Sequence, residues 1–123
     1  MQTVLVIEDE APLRANLVRI LSAEGYRVVA AADGDEGIRR VLGERPDLVI
    51  CDILMPRVDG FGVLAALRSR PETAALPFIF LTASADKDDL ARGLKSGANE
   101  YVTKPFKIAG LLAAVRRLLP PAG

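Results

Sequence analysis

The residues best suited to chemistry stand where short apolar, partly β-branched runs come to an end. They are Glu8 and Asp9, then Asp52, then Thr82, and finally Lys104. An aspartate is depleted in strands and costly to bury without a partner, so Asp52 needs a structural or a functional reason. The structural alternative for a single aspartate at such a position is a cap or turn former.

Together, these side chains could form a site for a metal ion and a phosphoryl group. Three carboxylates in one pocket repel one another, and Lys104 alone brings too little positive charge to balance them. All-oxygen ligands indicate a hard cation, and Mg²⁺ is favoured because it needs few carboxylates and keeps several waters. A carboxylate beside a metal ion, an ammonium and a hydroxyl can attack phosphorus. The residues therefore predict a Mg²⁺-dependent phosphoryl acceptor at Asp52.

Strand and helix patterns alternate along the whole chain and would bring these residues together. The predicted strands cover 3–7, 26–31, 48–52, 77–81 and 100–103, and a helical pattern follows each of them. This alternation predicts an α/β fold with a parallel sheet and helices on both of its faces. Doubly wound sheets bind ligands outside the carboxyl ends of their strands. The polar residues at the strand ends are therefore expected to form one site.

Apolar residues at helical spacing predict which side of each helix faces the core. The fifth helix has the clearest stripe, made of Ile108, Leu111, Leu112, Val115, Leu118 and Leu119. The second has a shorter one, made of Ile38, Val41 and Leu42. Asp33 and Glu36 predict a capping box at the start of that second helix. Asp59–Gly60 predicts a turn in the loop after Asp52.

The fourth helix is predicted over 86–97, with Asp86 or a neighbour as its cap. Its apolar face is thin, since only Leu90 and Leu94 follow helical spacing. Gly93 and Gly97 each lower helix stability by roughly 1 kcal/mol relative to alanine. The pattern indicates a weakly held element beside the site, which is what a two-state switch requires.

Composition restricts the function classes. The chain has 123 residues, half of them hydrophobic, which suits one domain at 1–119 followed by a tail or linker at 120–123. Sixteen basic residues balance sixteen acidic ones, so direct binding of nucleic acid is not expected. One cysteine in an apolar run, no signal-peptide pattern and no long apolar segment favour a cytoplasmic protein without membrane contact. The chain has no histidine, so a partner must supply any imidazole chemistry.

Five motifs carry a resemblance to a known family. They are the acids Glu8 and Asp9, DILMP at 52–56, Asp59–Gly60, LTA at 81–83 and YVTKPF at 101–106. In this order and spacing they resemble the receiver domain of bacterial two-component response regulators, and in particular the chemotaxis regulator, over about 3–119. The resemblance implies a flavodoxin-like three-layer sandwich with five helices and strand order 2-1-3-4-5.

The resemblance also implies a role for each site residue. Asp52 would become an aspartyl phosphate, receiving the phosphoryl group from a phosphohistidine. Asp9, Asp52 and the backbone carbonyl of Leu54 would bind Mg²⁺ directly. Glu8 would act mostly through a metal-bound water.

Other residues would respond to the phosphoryl group. Lys104, followed by a cis bond to Pro105, would pair with the acyl phosphate. Thr82 would move toward that group, and Tyr101 would turn inward behind it. The aspartyl phosphate would hydrolyse slowly, because an apolar Leu54 cannot help to hold an attacking water.

The implied function is a signalling switch rather than an enzyme, with only self-phosphoryl transfer and weak autodephosphorylation. The implied partners are a sensor histidine kinase or phosphotransfer protein, and a downstream effector or an attached output domain. They would be controlled through the surface of the fourth helix, fifth strand and fifth helix, where members of the family also form homodimers.

Other interpretations remain open at this point. A phosphatase of the haloacid dehalogenase type would need a second aspartate at the position of Leu54. A nucleotide-binding domain would need a glycine-rich loop where Glu8 and Asp9 stand. A receiver-like module could also bind partners without phosphorylation. Taken singly, Lys104 could be a surface lysine and Tyr101 an ordinary core aromatic.

Overall fold

The computed structural model describes residues 1–83 and 87–119, which form a three-layer α/β domain. The strands are β1 (Thr3–Ile7), β2 (Arg27–Ala31), β3 (Leu48–Asp52), β4 (Phe78–Thr82) and β5 (Glu100–Thr103). The helices are α1 (Ala11–Ala23), α2 (Gly34–Glu44), α3 (Gly60–Arg68), α4 (Lys87–Lys95) and α5 (Ile108–Leu118). Asp86, predicted as a cap, and the tail at 120–123 lie outside the described residues. Among the described residues, no helix is both long enough and apolar enough to cross a membrane.

The sheet is entirely parallel and has the predicted order β2-β1-β3-β4-β5. Its central strands β1, β3 and β4 are buried along their whole length, which explains why they are apolar on both faces. Leu17 and Leu21 of α1 pack with Leu111 and Val115 of α5 on one face of the sheet. The other face packs against α2 and α3, together with Ala98 after α4.

Aspartates begin two of the helices on the second face. Asp33 Oδ1 accepts a hydrogen bond of 2.8 Å from the Glu36 N–H, which confirms the predicted cap of α2. Asp59 Oδ1 accepts one of 2.9 Å from the Gly62 N–H. Asp59 is therefore the N-cap of α3 rather than part of a separate turn, and the loop after Asp52 runs directly into that helix.

Three residues predicted for apolar stripes are exposed instead. Leu42 is 37% exposed, Leu94 45% and Ile108 54%. In α2 the buried positions are Gly34, Gly37 and Val41, which leaves Leu42 to one side of the buried face. Ile108 is the first residue of α5 and precedes the buried part of that helix. Helical spacing thus located the buried face but did not fix its width or its ends.

Both glycines of the fourth-helix region have specific tasks, so their interpretation as sources of weakness was incomplete. Gly97 has φ +109° and lies beyond the end of α4, where glycine adopts the left-handed region at little cost. Gly93 is buried inside the helix. A Cβ at this position would lie 2.9 Å from two ring carbons of Phe80. Gly93 therefore allows α4 to approach the sheet closely.

We expect Gly93→Ala to destabilise the protein even though alanine is the better helix former. Phe80 is 1% exposed and packs edge-on against Phe61 and Phe78, so its ring has little room to move. Overpacking costs about 1–3 kcal/mol, against a propensity gain of roughly 1 kcal/mol. Urea unfolding measures the result. Gly110→Ala in α5 is the control, since a Cβ there meets nothing within 4 Å and should be neutral or stabilising. Equal effects of the two substitutions would contradict this packing.

Candidate functional site

Asp52 lies at the carboxyl end of β3 and is 4% exposed. Its Oδ1 accepts a hydrogen bond of 3.2 Å from the Leu54 N–H, and its Oδ2 lies 2.7 Å from Lys104 Nζ. The side chain does not cap a helix, but its bond to the N–H two residues further on is that of an Asx turn, so it forms a turn as the structural alternative predicted. The same side chain has a second contact that turn formation does not require. It is a buried carboxylate paired with an ammonium group.

Lys104 follows β5 and is held beside this carboxylate by the end of β4, the strand next to β3. Its backbone N–H donates a hydrogen bond of 2.7 Å to the Thr82 carbonyl at the end of β4. Its Nζ bridges Asp52 and Glu8, the latter at 3.0 Å. Burial alone would lower the pKa of Lys104, but the hydrogen bonds to these two carboxylates outweigh it and the pKa is raised. Lys104 is therefore a charged part of the site rather than a solvated surface lysine. The Lys104–Pro105 peptide bond is cis, as the resemblance implied.

Glu8 is the most deeply buried carboxylate of the site, with no exposed surface. Burial raises its pKa from 4.5 to about 7. The Glu10 N–H, 3.1 Å from Oε2, and the Lys104 ammonium oppose the rise without cancelling it. Nearby Asp52 adds to the rise. Burial in the folded protein therefore disfavours the ionised form of Glu8.

Glu8, Asp9 and Asp52 could together hold a metal ion. One carboxylate oxygen from each lies within 4.8 Å of the others, and Asp9 stands on the exposed side of the cluster. Mg²⁺ binds oxygens at roughly 2.0–2.1 Å, so two of its ligands lie at most about 4.2 Å apart. Both Glu8 oxygens already accept hydrogen bonds, from Lys104 and from Glu10. The oxygen donors therefore fit Mg²⁺ with little adjustment, and best if Glu8 acts through a water.

Thr82 and Tyr101 occupy different environments around this cluster. Thr82 is fully buried at the end of β4, between the strand that carries Asp52 and the strand that leads to Lys104. Tyr101 is 40% exposed, so it is not the core aromatic that was the alternative interpretation. The structure brings Glu8, Asp9, Asp52 and Lys104 together and leaves the ring of Tyr101 at the surface.

Reasoning from the sequence missed how tightly the loop after Asp52 is packed. A Cβ on Gly60 would lie 2.5 Å from the Asp52 carbonyl oxygen and 2.8 Å from Ile53 Cα. The Gly60 N–H also donates a hydrogen bond of 2.8 Å to the Ile53 carbonyl. The Asp59–Gly60 pair did mark this region, but its glycine had been assigned to a turn rather than to a close backbone approach.

Comparison with known proteins identifies the family of the chain. The model of the response regulator receiver domain family matches residues 4–116. The chain belongs to this family of two-component signalling domains.

Among solved structures, chemotaxis protein CheY4 of Vibrio cholerae superposes with a TM-score of 0.92 at 31% identity, covering 97% of this chain and 99% of that one. A receiver domain of a signal transduction histidine kinase from Syntrophus aciditrophicus gives 0.89 at 36% identity, covering 97% and 90%. These neighbours confirm the predicted flavodoxin-like fold.

Curated relatives are longer proteins. The probable transcriptional regulator ycf27 of Porphyridium aerugineum is 42% identical over 118 residues, covering 96% of this chain and 48% of that protein. The phosphate regulon transcriptional regulatory protein PhoB of Rhizobium meliloti is 42% identical over 116 residues, covering 94% and 51%. The chain thus spans about half the length of the curated relatives it matches.

The raised pKa of Glu8 predicts a pH-dependent stability in metal-free protein. A carboxyl whose folded pKa exceeds its unfolded value contributes stability that is complete below about pH 4.5 and lost as the pH rises through about 7. At pH 8, Glu8→Gln should therefore unfold with a free energy higher than wild type by roughly 1–3 kcal/mol. The difference should shrink toward zero near pH 5.

Urea unfolding in EDTA-containing buffers from pH 5 to 8 measures this dependence. Glu10→Gln, which removes an exposed carboxylate from the same loop, is the matched control and should follow the wild-type profile. An advantage of Glu8→Gln that is the same at every pH would show that ionisation of Glu8 is not its source.

Proposed function

We propose that this receiver domain is a phosphorylation-dependent switch that accepts a phosphoryl group on Asp52 in the presence of Mg²⁺. The single observation that carries the proposal is the Asp52 carboxylate, 2.7 Å from the Lys104 ammonium and clustered with Glu8 and Asp9. Membership of the receiver family implies that the donor is a phosphohistidine on a sensor histidine kinase or phosphotransfer protein, and this accounts for a chain that has no histidine of its own.

In the transfer, an Asp52 carboxylate oxygen forms a bond to phosphorus as the phosphorus–nitrogen bond of phosphohistidine breaks. The electron pair of that bond stays on the departing imidazole nitrogen, which then takes up a proton. Reaction requires the phosphoryl group to enter between Asp52 and the Lys104 ammonium. Lys104 then exchanges its contact with the carboxylate for one with a phosphoryl oxygen and balances its charge.

The remaining residues arrange the site around the incoming group. Asp9, Asp52 and the Leu54 backbone carbonyl would hold Mg²⁺ directly, with Glu8 acting through a water. Bound Mg²⁺ supplies positive charge against the phosphoryl oxygens. The Thr82 hydroxyl, at the end of the intervening strand, donates a hydrogen bond to a phosphoryl oxygen. Tyr101 then moves inward from its exposed position.

Multiple turnover on an external phosphomonoester is not part of this proposal. A phosphatase that uses an aspartate nucleophile needs an acid two residues later, and Leu54 offers none. The domain would instead carry out one phosphoryl transfer to itself, followed by weak autodephosphorylation. The lifetime of the aspartyl phosphate then sets the duration of the signal.

The output surface is formed by α4, β5 and α5. Tyr101 and Leu94 are exposed there, and Arg117 of α5 forms an ion pair with Glu100 of β5. Arg92 of α4 lies over the Phe61 ring, 4.1 Å from its centroid. We propose that phosphorylation rearranges this surface to control an effector or an attached output domain, and that it can also form a homodimer. The length of the curated relatives is consistent with an attached domain.

Amide hydrogen exchange tests whether acceptor and output surface are linked. Adding beryllofluoride, a phosphoryl mimic, with Mg²⁺ should change exchange in α4, β5 and the start of α5. The same addition to Asp52→Asn should change nothing. Unchanged exchange in wild type despite bound beryllofluoride would refute the surface proposal. Failure to bind beryllofluoride at all would favour the alternative function, a module that binds partners without phosphorylation.

Leu54 should lengthen the life of the phosphorylated state. Its side chain is 64% exposed at the edge of the site and has no group that could orient an attacking water. Leu54→Asn supplies such a group, so its aspartyl phosphate should hydrolyse several-fold faster than that of wild type. Phosphoryl half-lives measured after removal of the donor make the comparison, with Leu54→Met as an apolar control. Equal half-lives in wild type and Leu54→Asn would refute this role.

A further inference from the structure

We propose that Arg14 is a positioning residue for the metal site, because it fixes the backbone from which Glu8 and Asp9 project. This inference rests on the proposed function, since it assigns Arg14 to the Mg²⁺ site of that switch. Arg14 would touch neither the metal ion nor the phosphoryl group. It acts through the loop between β1 and α1.

Arg14 contacts that loop from the first turns of α1. Its Nη1 donates a hydrogen bond of 2.8 Å to the Glu8 carbonyl oxygen and lies 3.4 Å from that of Asp9. One guanidinium nitrogen thus reaches two consecutive carbonyl groups, which restricts the peptide plane between them. The side chain is half-buried, and its own N–H donates 2.9 Å to the Glu10 carbonyl. Arg14 therefore ties the acidic loop to a helix anchored in the core.

The acidic loop needs such support because its side chains repel one another. Lys104 connects Glu8 to Asp52, and the Glu8 N–H is held by the Ala31 carbonyl at 3.1 Å. Asp9 lies further out, on the exposed side of the cluster. Mutual repulsion favours a displacement of the loop that moves its carboxylate away from the other two. The contacts of Arg14 with the Glu8 and Asp9 carbonyl groups oppose that displacement, because they fix the backbone from which the Asp9 side chain starts and so keep its oxygens within reach of the same ion.

The charge of Arg14 and its positioning contact should change Mg²⁺ affinity in opposite directions, which makes its role testable. A guanidinium near the site repels Mg²⁺, so removal of its charge should by itself strengthen metal binding. Loss of a positioning contact should instead weaken binding, and outer-shell contacts of this kind typically contribute about 10–100-fold in metal affinity. The direction of the change therefore separates the two roles.

The experiment is a Mg²⁺ titration of the chain, in which the amide chemical shifts of Glu8, Asp9 and Glu10 report binding. Arg14→Gln should bind Mg²⁺ about 10-fold or more weakly than wild type. Arg14→Lys keeps the charge but lacks the rigid fork of donors, so its Mg²⁺ affinity should lie between those of wild type and Arg14→Gln. Arg19→Gln is the matched control. It removes an arginine of the same helix that contacts Asn16, and it should leave Mg²⁺ affinity unchanged or slightly stronger.

Equal or tighter Mg²⁺ binding by Arg14→Gln would overturn the inference and leave the proposed function intact. Absence of Mg²⁺ binding in wild type would overturn both, so the two failures are distinguishable. Thermal unfolding of each metal-free variant identifies any loss of fold. If Arg14→Gln does not fold, Arg14→Lys decides, because wild-type affinity in that folded variant would overturn the inference.

Discussion

The feature on which the rest of this structure depends is an imbalance of charge at one edge of the sheet. Glu8, Asp9 and Asp52 converge there, and the Lys104 ammonium is shared by two of them. Two of the three carboxylates are buried, which is unfavourable without compensation, and the pKa of Glu8 is raised as a result. A site in this condition gains from any cation that enters it. Under the proposed function, Mg²⁺ would supply the missing positive charge and a phosphoryl oxygen would become a partner of Lys104.

The fold maintains this imbalance through backbone placement more than through side-chain pairing. Parallel strands in the order β2-β1-β3-β4-β5 put the ends of β1, β3 and β4 side by side, and the residue after β5 donates to Thr82 at the end of β4. Gly60 allows α3 to begin against the backbone of Asp52 and Ile53. Phe80 lies against both Gly60 and Gly93, so the helices on either side of it meet one buried ring. The start of α3 and the middle of α4 thus both contact the Phe80 ring.

Much of this could be predicted from the sequence, because the decisive signals are local. β1, β3 and β5 were predicted with the bounds they have, since short apolar runs and the polar residues after them mark strand ends. The grouping of Glu8, Asp9, Asp52 and Lys104 followed from one rule about parallel sheets. The tasks of Gly93 and Gly60 depend on residues distant in the chain or on backbone approach, and no local pattern reports these. The same holds for Arg14, whose hydrogen bonds reach carbonyl groups that every residue possesses.

Direct phosphorylation of the protein shows most simply whether Asp52 is a Mg²⁺-dependent phosphoryl acceptor. The purified chain is incubated with acetyl phosphate or phosphoramidate, with Mg²⁺ or with EDTA, and its intact mass is measured. We expect the mass increase of one phosphoryl group in wild type with Mg²⁺, and none with EDTA or in Asp52→Asn. No phosphoryl group on the wild type with Mg²⁺, or an undiminished one on Asp52→Asn, would contradict it.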